Sequence, residues 1–169
     1  YKLVQLAGII SEFNPNWDEE IDPDIKFKEA LKIAEIIFNN AIESTVSKVK
    51  AKEKVDIAIE NSKDGIMVLE KFFPWKEFLL ESNNSKAKLI NFVVFPSNRG
   101  GYNIYTVPEK LGSFSSRKLF PNEWAGLQGE ELQKVTNVKT ARFCHNKCFI
   151  CAVDTIEDAI KIAHIANEN

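Results

Sequence analysis

Three thiols and an imidazole fall within eight residues, at Cys144, His145, Cys148 and Cys151, and these are the ligand types of a structural zinc site. Spacing argues against that use. Cys144 and His145 are neighbours on an expected strand and point to opposite faces, and no second ligand pair with finger-like spacing lies elsewhere. Small buried thiols are the expected account. The same alternation keeps Cys144 away from His145 as nucleophile and base, whereas Cys148 could face His145 across the turn, leaving a thiol-based site as an alternative. His145 and His164 are the only histidines. His164 sits in the last expected helix in a structural or exposed role. His145 ends a strand in a basic stretch, where its imidazole could donate to a phosphate oxygen or be a satisfied core histidine. No nucleophile elbow, phosphate loop or paired-carboxylate motif is present. A hydrolytic metal centre needs several His and Asp ligands with an open position, and no metal ligand is assigned in this chain.

Charge directs attention to the middle of the chain. Residues 86–147 carry 10 Lys+Arg against 4 Asp+Glu, while residues 1–85 carry 11 against 16 and residues 148–169 carry 1 against 4. A locally basic surface concentrates anions on a protein whose total is only −2; the plainer alternative is a basic sheet beside acidic helices. Within that stretch, Phe114 to Leu132 reads as a long irregular segment containing Arg117-Lys118, Trp124, Gly126 and Gly129, and long loops in compact domains tend to be functional. Arg117 offers planar bidentate donors for phosphate, and Lys118 a point charge. The acidic run Asp18, Glu19, Glu20, Asp22 and Asp24 is read as a helix N-terminus, where the macrodipole favours carboxylates, ahead of a metal site.

These side chains need a scaffold, and the pattern describes one. Residues 1–12 read as a short helix ended by Asn14-Pro15-Asn16. From Phe27 the apolar positions Ala30, Leu31, Ala34, Ile37, Phe38, Ala41, Ile42, Thr45, Val46 and Val49 keep a helical period, predicting one amphipathic helix to about Asn61. Lys63-Asp64-Gly65 stops it. A strand at 66–69, a short helix at 74–80 with Pro74 in its first turn, and a hairpin of strands 89–96 and 102–108 follow. A helix near 130–135, strands at 141–145 and 148–153, and a final helix capped by Asp154-Thr155 complete the chain. The class is α+β, with a mostly antiparallel sheet, a long N-terminal helix and a C-terminal helix packed on the sheet. No apolar run approaches the length that crosses a bilayer, and no export leader is visible, so no membrane partner is expected. An odd count of three cysteines reads as reduced thiols in an intracellular compartment. The opening on Tyr1, with Leu3, Val4, Leu6, Ile9 and Ile10 already helix-like, suggests a piece of a longer chain.

Several short strings follow one another along the chain: Asn14-Pro15-x-Trp17, Pro74-Trp75-Lys76, paired strands ending at Val107-Pro108, Arg117-Lys118, Leu119 to Pro121, Trp124-x-Gly126-Leu127, Glu130-Glu131-Leu132, and His145 followed by Phe149-Ile150. Together they resemble the melanocyte-proliferating-gene family of metal-dependent hydrolases in the DHH phosphoesterase superfamily, associated with 3′–5′ RNA exonuclease activity. The resemblance implies that residues 1–169 are a single C-terminal substrate-binding domain, helical over 1–62 and α+β over 63–169. It places the His and Asp ligands of a divalent metal, Mn²⁺ or Mg²⁺, in an N-terminal domain that would precede Tyr1. Arg117, Lys118, Lys76 and His145 are then expected to bind phosphate of RNA or another phosphodiester, with Trp75 or Trp124 stacking on a base or buried as core. The implied location is the mitochondrion or nucleus, with the cytoplasm also open. The family pattern has arginine where Ala125 stands, and glycines where Cys148, Cys151 and Ala152 stand. Glycine lets a ligand approach the backbone closely, and a side chain obstructs it. The alternative function is a non-catalytic interaction or assembly domain, with the helix of residues 27–61 docking on a partner or a second copy of the chain.

Overall fold

The structure, a computed structural model, describes residues 5–169. The first four residues of the expected opening helix lie outside the described ones, and the remainder forms α1 (Leu6–Ser11). The chain divides into two units, residues 1–49 and 50–169. The long helix α2 (Pro23–Glu60) contributes to both. It begins at Pro23, because proline at a first helical position gives up no hydrogen bond that a helix would use. Just ahead of it, Asp22 Oδ1 accepts from the Asp24 amide at 2.9 Å, so one of the acidic residues does serve the helix start.

In the first unit α1 and the α2 turns up to Val49 leave few side chains covered. Among the described residues of this unit Ala30 is the buried apolar one, whereas Phe27, Leu31, Phe38, Ile42, Val46 and Val49 are exposed.

The second unit is a mixed sheet in the order β1-β2-β3-β5-β4, formed by β1 (Ile66–Val68), β2 (Phe92–Pro96), β3 (Tyr102–Thr106), β4 (Ala141–Cys144) and β5 (Ile150–Val153). All neighbours are antiparallel except β1 and β2, which run parallel. The fold is thus α+β with a mostly antiparallel sheet. Side chains alternate across a strand, so each face receives its own core. On one face Phe92, Val94, Ile104, Cys151 and Val153 pack with α4 (Gly129–Thr136) and α5 (Ile156–Glu168). Ala159, Ile162, Ala163 and Ala166 supply the α5 stripe at helical spacing. Thr155 caps that helix, its hydroxyl accepting from the Asp158 amide at 3.2 Å, a bond worth about 1 kcal/mol.

The opposite face is covered over only part of its width. Met67, Val93 and Phe95 pack under Ala51, Val55 and Ile59 from the last turns of α2, together with Trp75 and Leu79 beside and within α3 (Lys76–Leu80). None of the buried residues of β4 or β5 belongs to this second core. The start of the strand expected over residues 89–96 is preceded by a 3₁₀ turn, Ser85–Leu89, capped by Asn84, whose side chain accepts from the Lys86 amide at 3.0 Å. β2 therefore begins at Phe92.

Candidate nucleic-acid groove

The uncovered part of that second face is a groove of about 500 Å³. Strand register builds its floor. Asn103 of β3 stands opposite Ala152 of β5, which stands opposite Phe143 of β4; one row further along, Tyr105 stands opposite Ile150. All five line the groove, and the tip of the β2–β3 hairpin, Ser97 to Gly100, forms its rim. The tip is held by the Ser97 amide donating to the Gly101 carbonyl at 2.9 Å and the Gly100 amide to the Ser97 carbonyl at 3.0 Å. Arg142 pins the tip to the far side of the sheet, pairing with Asp154 and donating from Nη1 to the Gly100 carbonyl at 2.8 Å. Arg99, on the same rim, has no ion-pair partner among the described residues and is exposed. A cation beside exposed aromatic edges, including the half-exposed Phe72, suits a phosphodiester backbone with its bases.

Two of the residues expected to bind substrate, Lys76 and His145, neighbour floor residues without themselves lining the groove. The Lys76 ammonium lies 5.7 Å from the centre of the Trp75 ring and 6.0 Å from that of Tyr105, a floor residue. His145 follows Phe143 by two positions, so alternation places it on the same side of the sheet, and its amide continues the ladder by donating to the Ile150 carbonyl at 2.9 Å. Its Nδ1 accepts from the Lys147 amide at 3.1 Å, which leaves Nε2 as the N–H donor of the neutral ring. Phe149 packs against the ring, with centroids 4.3 Å apart.

The other expected residues are held elsewhere. The Arg117 Nη1 donates to the carbonyls of Ala87 at 2.6 Å and Ile90 at 2.9 Å, tying the 3₁₀ turn to the sheet; burial pulls its pKa down from the usual arginine value. The Lys118 ammonium donates to the Asn167 carbonyl at 2.6 Å, at the C-terminal end of α5 where the helix dipole favours a cation. Both cations are engaged within the chain and stand away from the groove lining.

The tryptophans require a correction. Trp75 is 2% exposed and Trp124 1%, so neither offers a face to a base, and both are core. Trp124 stacks near Phe120, which meets Phe92 of β2. The irregular segment from Phe114 therefore anchors one side of the sheet through these aromatics, and Leu127 and Gln128 line the outer edge of β4.

Cys144, Cys148 and Cys151 are buried free thiols. Cys144 and Cys151 face each other across β4 and β5. Hydrogen bonding from Cys151 holds the Cys144 thiol below its ordinary pKa; the same bond, followed by burial, pushes Cys151 up, and burial pushes Cys148 up. Among the described residues no group of three or more His, Cys, Asp or Glu side chains is arranged to hold a metal ion.

Arg99, Arg142, Asn103 and Tyr105 escaped the reading of the sequence. Arg99 did carry one signal, as a cation in a Gly-Gly turn between two strands.

The groove can be set beside known proteins. A family model for MYG1 exonuclease, described as "Uncharacterised protein family (UPF0160)", matches residues 1–166. The MYG1 protein of Saccharomyces cerevisiae is 30% identical over 96% of this chain and 52% of its own length. The MYG1 protein of Dictyostelium discoideum is 29% identical over 94% of this chain and 51% of its own. The MYG1 exonuclease of Homo sapiens is 29% identical over 94% and 45%. The chain thus spans about half the length of these relatives. No solved structure matches it. With its family model matched along almost its whole length, the chain belongs to the MYG1 exonuclease family.

Proposed function

We propose that this chain is the substrate-holding half of a metal-dependent phosphodiesterase, a 3′–5′ RNA exonuclease, and that the groove over β3, β5 and β4 takes the single-stranded backbone. The observation that carries this reading is the groove itself: a sheet floor of Asn103, Tyr105, Ile150, Ala152 and Phe143 under a rim bearing Arg99, which has no ion-pair partner among the described residues. The name exonuclease borne by the human and rat relatives supports the reaction class.

In this arrangement Arg99 supplies bidentate donors to a phosphate, Lys76 and the His145 Nε2–H add charge and a donor beside the floor residues Tyr105 and Ile150, and Tyr105 and Phe143 offer ring surface to bases. Ala152, at the centre of the floor, sets its depth. Metal chemistry, Mn²⁺ or Mg²⁺, would come from the part of the relatives' length that has no counterpart here, since the described side chains do not form a ligand set.

The test uses the full-length protein with Mn²⁺ or Mg²⁺ and single-stranded RNA labelled at either end. Stepwise shortening from the 3′ end is expected, with Arg99→Ala raising KM about tenfold, a loss of about 1.4 kcal/mol, and leaving kcat near that of the parent. Failure to cleave RNA or any other phosphodiester would reject the enzyme reading.

A further inference from the structure

We infer that the apolar face of α2 between Phe27 and Val49 is the docking surface for the other half of the same polypeptide, the half that the relatives carry and this chain does not match. The inference rests on the two-half reading above and assigns the surface that joins the halves.

Phe27, Leu31, Ala34, Phe38, Ala41 and Thr45 recur at alternating intervals of four and three, one stripe of a helix. Over Phe27 to Val49 the stripe is about 33 Å long at 1.5 Å per residue. Phe27 is 64% exposed, Leu31 54% and Phe38 65%. A contiguous apolar surface of this size marks an interaction site on a soluble protein. Its middle is indented by a cleft of about 760 Å³ lined by Leu6, Leu31, Ala34, Ile37, Phe38 and Ala41, with Glu35 the charged residue in the lining. Such a cleft accepts apolar side chains from a folded neighbour.

The contrast within α2 is informative. Ala51, Val55 and Ile59 are at most 5% exposed against the sheet, so the helix buries an apolar face wherever the second unit gives it one. The turns before Val49 present Phe27, Leu31, Phe38, Val46 and Val49 with little to cover them among the described residues. About half of each relative's length lies outside the match, which is enough chain for a folded domain. A tethered domain also docks at high effective concentration, so a stripe of this size suffices without the further contacts that a freely diffusing partner needs.

The experiment labels single thiols in the full-length protein. The native cysteines of this half are buried, so Leu31→Cys, Phe38→Cys and, as an exposed control in the second unit, Phe114→Cys can be followed site by site with a maleimide and mass spectrometry. Leu31→Cys and Phe38→Cys are expected to react at least about tenfold more slowly than Phe114→Cys, with no change on about hundredfold dilution and with the mass of a monomer. Reaction at the rate of Phe114→Cys overturns the inference. Protection that disappears on dilution also overturns it, assigning the face to a second copy of the chain. The labelling needs neither RNA nor metal, so its outcome is separate from that of the nuclease assay.

Discussion

Gly101 lies so close to Val153 that a Cβ at Gly101 would overlap the Val153 carbonyl oxygen, and its φ of +72° is one that side chains other than glycine adopt at a cost. This contact seats the β2–β3 hairpin tip against the last residue of β5, and thereby sets where Arg99 stands on the groove rim. Gly101→Ala is predicted to destabilise the protein by about 2 kcal/mol or more, from backbone strain together with the overlap. Urea denaturation measures it. Gly100→Ala, with open space around its Cβ position, is predicted to cost about 1 kcal/mol from φ alone.

Arg117 is predicted to act on stability. Its Nη1 satisfies two carbonyls belonging to residues that are 1% and 0% exposed, Ala87 and Ile90. Arg117→Ala leaves them without that donor and is expected to cost about 2 kcal/mol. Lys118→Ala, which removes one donor from the Asn167 carbonyl, is expected to cost at most about 1 kcal/mol. Thermal or chemical melting of both variants checks the order. Unchanged stability of Arg117→Ala with a selective loss of RNA affinity would instead make it a phosphate ligand.

Cys148 has φ +54°, in the left-handed region that favours glycine. An L-residue there carries a strain of about 1–2 kcal/mol that glycine does not. Cys148→Gly is therefore predicted to be more stable than Cys148→Ala by about 1 kcal/mol, although both lose the buried thiol. Equal melting temperatures would contradict this. The pH dependence follows from the same cluster. Burial pushes the folded-state pKa of Cys148 up, and the bond to Cys144 with burial pushes that of Cys151 up, so the folded state holds these two thiol protons more tightly than the unfolded chain. Their stabilisation is full below the unfolded thiol value of about 8.5 and is lost as pH rises above it. Cys151→Ala should flatten the fall in stability between about pH 8 and 9.5, read by melting at each pH.

The parts of the fold that were legible in the sequence are those governed by local chemistry. The period of α2, the Thr155 cap and the β2–β3 hairpin each depend on residues a few positions apart. The parallel pairing of β1 with β2 was not legible, because it joins segments 26 residues apart, Ile66 and Phe92, through intervening helical turns. The site was less legible than the fold. Arg117 and Lys118 look like phosphate ligands in the string, but their partners are 27 to 49 residues away in sequence. Trp75 and Trp124 have the same local sequence whether they face a base or the core, and only the packing on the two sheet faces decides. The groove depends on the strand order β3-β5-β4 and on how far the helices extend across the sheet, neither of which short-range pattern specifies.

The central claim is that Arg99 and the groove floor hold a single-stranded phosphodiester. It is tested most directly by the salt dependence of RNA affinity in the full-length protein, measured for the parent and Arg99→Ala at matched folded fraction. The account predicts a weaker affinity and a log–log slope shallower by about 0.7, the value for one lost phosphate contact on a single strand. Unchanged affinity and slope for Arg99→Ala would contradict it.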